Sequence, residues 1–169
     1  QRLIGERRLA LLSELAAATR GPHNEHALYE ALEKVLQAHR KDIHFSWLYL
    51  YDADGNAYLA SSSGPRGDET ISPAHIPLGN NIWFAEHIFK HPTPVLVEDL
   101  ASRFGDAVPQ GVWSKKSHSA YIIPILEAGQ KRAAGFFVAG LSPKRPFDND
   151  YKDFLELLAG QIGSAVSGI

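Results

Sequence analysis

Apolar positions along this chain first recur with a helical period, then alternate strictly, and return to the helical period at the end. Over residues 3–18, Leu9, Leu12, Leu15 and Ala16 fall on one side of a helix, with Arg7, Arg8 and Glu14 between them. Gly21 and Pro22 end that helix, and Asn24 is placed to cap a second one with the inward stripe Leu28, Ala31, Leu32, Val35 and Leu36. The period then drops to two. Ile43, Phe45, Trp47, Tyr49 and Tyr51 alternate with His44, Ser46, Leu48 and Leu50, a run of strand formers apolar on both faces and therefore expected in the middle of a sheet. Asp54-Gly55 is the preferred dipeptide of a tight hairpin turn, with residues 58–62 as the returning strand.

Residues 63–79 read as a polar, Gly- and Pro-rich loop. Asn80 or Asn81 then caps a helix carrying Ile82, Trp83, Phe84, Ile88 and Phe89, which must end before Pro92. Residues 93–97 form a short strand. The stretch 98–118 shows little periodicity and is too long for a plain connection, so it is expected to be a lid or binding loop. Residues 119–126 and 133–141 make a second hairpin, and Asp148 caps a long helix with Tyr151, Phe154, Leu155, Leu158, Ile162, Ala165 and Val166 on one face. This order predicts an α+β fold: a central antiparallel sheet, the first, second and last helices on one face, the middle helix with its long loop on the other.

Composition narrows the function. The 169 residues include 17 Lys and Arg against 19 Asp and Glu, a net charge of −2 that supplies no field for drawing in a polyanion, so nucleic acid is not an expected partner. The apolar runs at 120–126 and 133–141 are far shorter than the ~20 residues that cross a bilayer, so this segment is not expected to insert in a membrane. There is no cysteine, which removes disulfides, thiolate metal sites, a cysteine nucleophile and a thioether-linked pigment. Starting at Gln1 without a methionine or a leader, the chain reads as a single domain, residues 1–169, cut from a longer protein, and the compartment stays open on composition alone.

Candidate chemistry centres on aromatic side chains. The ring-bearing face of the first strand, with Trp47 and Tyr49, is expected beside Tyr121 and Phe137 and opposite Trp83 and Phe84. Together they would line an apolar slot of roughly 300 to 1,000 Å³ suited to a planar organic ligand, the polar tips of Trp and Tyr supplying hydrogen bonds. From the long loop, Trp113, Lys116 and His118 would close over it and offer positive charge. The competing expectation is that these rings are simply core.

Other motifs point away from catalysis. His87 and His91 stand four apart, but two ligands do not make a metal site. The run Asp52-Ala53-Asp54-Gly55-Asn56 has Ala57 where a calcium loop needs glycine and Ser63 where it needs glutamate, so it reads as turn chemistry. No nucleophile elbow or phosphate loop occurs, and Ser119 beside His118 would point to the opposite face of a strand. No catalytic residue is expected, and no cofactor is named by the sequence.

Four stretches carry a family resemblance. They are Leu48-Tyr49-Leu50-Tyr51-Asp52-Ala53-Asp54-Gly55; Ile76-Pro77-Leu78-Gly79 through Ala85 to Pro94-Val95-Leu96-Val97-Glu98-Asp99; Ser119-Ala120-Tyr121-Ile122-Ile123-Pro124-Ile125; and Gly135-Phe136-Phe137-Val138-Ala139-Gly140. In this order and spacing the chain resembles a GAF domain, the small-molecule sensory module of histidine kinases, phosphodiesterases, phytochromes and many bacterial regulators. The resemblance implies a cytoplasmic bacterial signal-transduction protein whose domain binds an unidentified small molecule and passes the result through its terminal helices to an output such as a histidine kinase. Bilin attachment and the family's free methionine sulfoxide reductase activity both need a cysteine. The cyclic-nucleotide signature is not matched either, since no lysine follows Asn80-Asn81 and Asp68-Glu69 lies upstream. A homodimer is expected through Leu9, Leu12 and Ala16 with Ile162, Ala165 and Val166. The alternative is a ligand-free dimerisation or spacer module of the same kind of protein.

Overall fold

The computed structural model describes residues 2–64, 69–111, 115–127, 129 and 131–169. Helices α1 (Arg2–Ala18) and α2 (Glu25–Gln37) come first. Strands β1 (Ile43–Tyr51), β2 (Ala57–Ser63) and β3 (His75–Ile76) follow, then α3 (Ala85–Lys90), β4 (Val95–Val97), α4 (Leu100–Phe104), β5 (Ala120–Leu126), β6 (Ala133–Leu141) and α5 (Asn149–Ser167). The strands form one antiparallel sheet in the order β3-β2-β1-β6-β5-β4. β1, apolar on both faces, lies between β2 and β6 as expected.

Local chemistry sets the helix starts. The Asn24 and Asp148 side chains accept from the backbone N–H groups of Ala27 and Tyr151, each 2.9 Å away, relieving one orphan donor at the first turns of α2 and α5. The terminal helices cover one face of the sheet. Leu11 and Leu15 of α1, Leu32 and Leu36 of α2 and Leu155, Leu158 and Ile162 of α5 pack with Leu48, Ile123, Ile125, Phe137 and Ala139. Each Leu, Ile or Phe among them contributes about 1.5–3 kcal/mol by leaving water. The expected α1 stripe holds at Leu15, with Leu12 and Ala16 half-buried, but Leu9 is 69% exposed and Leu11, not expected inward, is fully buried. Helical spacing leaves the phase of the stripe open where Leu9, Leu11 and Leu12 compete, and α1's packing against α2 and α5 chooses it.

On the other face lie α3 and the loop segments around it, as the sequence order predicts. Three details differ. The stretch 98–118, expected to be loop, includes the short helix α4. β3 adds a two-residue edge strand inside the segment expected to be loop, too short to show a period. The middle helix begins at Ala85, because Trp83 and Phe84 take left-handed backbone angles, φ 54° and 58°. Asn81 still caps it remotely, its side-chain oxygen accepting from the N–H groups of Glu86 and His87 at 3.1 and 3.2 Å. Among the described residues no helix is long and apolar enough to cross a membrane.

Candidate ligand cleft

Alternation along β1 puts Phe45, Trp47, Tyr49 and Tyr51 on the face opposite the terminal helices. Register with β6 sets Phe136 against Tyr49, where the two rings stack at 5.0 Å, and Val138 against Trp47. Gly140 leaves the space that the Phe45 ring occupies. From above, Trp83 approaches Trp47 to 5.5 Å and stacks on Phe104 at 4.7 Å, while Phe45 lies 4.4 Å from Trp47. The Arg103 guanidinium lies 5.5 Å from the centre of the half-buried Phe84 ring, at the rim.

The expected slot is therefore filled by the protein's own rings. Trp47, Tyr49 and Trp83 are each at most 3% exposed. Hollows among the described residues lie elsewhere, between β5 and α5, at the two hairpin tips, where Tyr51 forms part of the wall, and along α1 and α5; none is lined by Trp47, Tyr49 or Trp83.

Polar tips distinguish this face from ordinary core. The Tyr49 hydroxyl donates to the Pro73 carbonyl at 2.8 Å, the Tyr51 hydroxyl to Ala85 at 2.6 Å, and Trp83 Nε1 to Ile71 at 2.6 Å. Burial pushes both phenols well above their ordinary pKa, so they remain donors. Trp47 Nε1 is buried and has no acceptor among the described residues. An orphan donor of this kind costs about 1–3 kcal/mol. Left-handed angles at Trp83 and Phe84 add about 1–2 kcal/mol each. Both costs fall at the same contact between β1 and the turn that precedes α3.

Of the expected site residues, Trp47, Tyr49 and Trp83 are brought together and Phe84 borders them. Tyr121 and Phe137 are a correction: they lie on the helix-covered face with Leu48 and Ile123. The reason is parity, since the β1–β6 register pairs Tyr49 with Phe136 and Leu48 with Phe137. Lys116 is half-buried and donates from Nζ to the Asp106 carbonyl at 3.3 Å, bracing its own loop. His118 is exposed, and its carbonyl accepts from Leu100 N. Trp113 lies outside the described residues. Phe136 and Phe104 were missed. Alternation marks one of each neighbouring pair in β6 without saying which faces β1's rings, and Phe104 lies in a stretch without periodicity.

The remaining motifs are turn and surface features. Both oxygens of Asp52 are engaged by its own turn, through Asp54 N, Asn56 N and Asn56 Nδ2. His87 and His91 are exposed with ring centres 5.4 Å apart, and among the described residues no three His, Cys, Asp or Glu gather to hold a metal.

An open six-stranded antiparallel sheet, closed by terminal helices on one side and by aromatic rings on the other, defines a class of α+β domain. Within it, the chain belongs to the GAF domain family, whose model matches residues 25–167. Its fold is similar to the GAF domain of an Acinetobacter phosphoenolpyruvate-protein phosphotransferase, with 14% identity over 95% of this chain and 93% of that one and a TM-score of 0.67. The A. Aeolicus nlh2 GAF domain in an inactive state is similar over 96% of both chains, at 18% identity and a TM-score of 0.68. The free methionine-R-sulfoxide reductase from Neisseria meningitidis, solved with its substrate, shares 20% identity over 94% of this chain and 87% of that one, with a TM-score of 0.64. No curated protein matches. The family is commonly sensory or regulatory, and the same fold also serves an enzyme.

Proposed function

We propose that this chain is the non-catalytic sensory domain of a cytoplasmic bacterial signalling protein, with a histidine kinase as its output. Its ligand is a small planar molecule bearing a hydrogen-bond acceptor, which enters between Trp47 and Trp83. The observation that carries this reading is the unpaired Nε1 of Trp47, buried on a face where Tyr49, Tyr51 and Trp83 all reach carbonyl acceptors. A ligand that replaced the Trp83 ring would pair this donor and let the Trp83–Phe84 turn relax. These two gains, a few kcal/mol, work against the loss of the Trp83 hydrogen bond to Ile71 and of its stack on Phe104, and the ligand's own contacts with the Trp47 ring supply the remainder of the 1–3 kcal/mol typical of regulatory coupling.

The route to the terminal helices runs through the start of β1. Arg7 of α1 grips the Asp42 carboxylate, with donor distances of 2.7 and 3.2 Å. The Tyr151 hydroxyl of α5 donates to the Asp42 carbonyl and accepts from Ser142 N. A shift in β1 thus pulls on both helices together. Of the positions expected at a homodimer, Ile162 is buried in the chain's own core and Leu12, Ala165 and Val166 pack against that core, so the apolar positions left for a second copy to cover are exposed Leu9 of α1 and, not expected, Leu157 of α5.

Thermal denaturation of the chain against flat-ring carbonyl and carboxylate compounds tests the reading. A ligand at 100 times its dissociation constant adds ~2.7 kcal/mol, and Trp47→Phe should erase the shift while the fold persists. The second reading, a ligand-free dimerisation module, is favoured by the ring-on-ring packing of Phe45, Trp47, Trp83 and Phe104. No shift across the series, with a concentration-dependent dimer in light scattering, would select it.

A further inference from the structure

Tyr121, displaced from the aromatic face, helps to build something else on the helix side. β4 pairs with β5 only from Ala120 to Ile122, so beyond that point the outer edge of β5 has no strand neighbour among the described residues. Pro124 stands there, offering no N–H to a further strand. α5 passes this edge with its smallest side chains, and a Cβ at Gly160 would meet nothing within 4 Å. A hollow of about 260 Å³ results, walled by Ile123 and Leu126 of β5 and by Ala159, Gly160 and Gly163 of α5, with Glu156 among its lining residues.

Glu156 is a half-buried carboxylate held by a neutral donor, the Tyr121 hydroxyl, at 2.7 Å from Oε2. Among the described residues it has no ion-pair partner. Arg20 shares an adjoining hollow with it but forms no salt bridge. An anion fixed by one oxygen and bordering small apolar walls is complementary to a cationic head on a short aliphatic stem. At about 30 Å³ per water-sized group, the space admits on the order of eight heavy atoms.

We propose that the hollow between β5 and α5 is a second binding site, for an alkylammonium or alkylguanidinium group, with Glu156 receiving the cation and Tyr121 orienting the carboxylate. The stem lies along Ile123, Leu126 and Ala159. Such a ligand bears directly on α5, the C-terminal helix, and needs no change at the aromatic face. The chemistry is shared by a free alkylamine and by the side chain of a lysine in a peptide.

Amide chemical-shift titration of the chain with n-pentylammonium, n-pentanol and hexanoate tests the proposal. Saturable shifts at Leu126, Gly160, Gly163 and Ser164 are expected with the ammonium, and binding about tenfold weaker or absent with the neutral and anionic probes. Nα-acetyl-lysine N-methylamide binding more tightly than pentylammonium would assign the site to a peptide lysine, and the reverse order to a free amine. Glu156→Gln should weaken pentylammonium binding about tenfold or more. Gly160→Leu, which fills open space, should abolish it with the circular dichroism unchanged. No saturable shift, equal response to pentanol, or binding that survives both substitutions would overturn the proposal. None of these outcomes depends on the Trp47 cleft.

Discussion

The two faces of the sheet are built from similarly apolar residues and are closed in different ways. On the helix side, aliphatic stripes of α1, α2 and α5 meet Leu48, Ile123 and Phe137, and the polar tips of Tyr121 and Tyr151 find partners. On the other side, rings stand in for helices. Trp83 arrives on a left-handed turn, and the Trp47 tip is left unpaired. The first face is closed by regular elements that satisfy their own backbones, so its packing carries little strain. The second is closed by loops, and loop backbone positions side chains only by accepting unusual angles and incomplete hydrogen bonding. Among the described residues orphan polar atoms occur on the helix side too, at Arg8 Nε and Gln161 Oε1, but only on the ring side does one coincide with left-handed backbone, at Trp47 and Trp83, and that coincidence is a physical reason to look for a ligand there.

Substitutions can break or sharpen this contrast. The largest effect is expected at Phe137, fully packed under the helices: Phe137→Ala should cost about 3–5 kcal/mol in urea unfolding. A loss below about 1 kcal/mol would mean that the helix face is the looser one. Next comes a matched pair at the rings. Trp47→Phe and Trp83→Phe remove similar volume, but only the second gives up a hydrogen bond, so Trp83→Phe should be more destabilising by about 1 kcal/mol. Equal losses would remove the distinction drawn between the two indoles.

Acid should act on the aromatic side first. His44 is fully buried, with Gly111 of the long loop lying so close that a Cβ there would collide with its ring. Burial, and secondarily the Arg40 charge, lower its pKa below the usual 6.5. The unfolded chain therefore takes up this proton before the folded one does. Stability from neutral His44 is complete above about pH 6.5 and declines as pH falls through the depressed folded value, by at most ~1.4 kcal/mol per pH unit. His44→Phe should flatten that slope in thermal melts between pH 6.5 and 5. The smallest effect is on the helix side, where Gly160→Ala should stabilise by about 0.5–1 kcal/mol, because the helix gains propensity and the added methyl meets open space.

What could be read before folding follows the range of the forces involved. Asn24 and Asp148 mark helix starts because a cap acts within three residues, and the alternation of β1 declares a central strand because its period is local. The aromatic cleft was legible as far as β1 and Trp83, which lie in periodic segments. Phe104 was not, because a residue in an aperiodic stretch acquires its neighbours only when α4 settles over the sheet.

By itself, then, the sequence determined the elements, their order and the α+β class, through propensity, capping and hydrophobic period. Tertiary structure alone decided which of Phe136 and Phe137 faces the rings, which leucines of α1 are buried, and where Tyr121 finds its partner. Those outcomes rest on strand register, where a shift of one residue reverses every side chain, and on helix phase, where it turns the buried stripe by about 100°. Such choices are made by contacts between segments far apart in the chain.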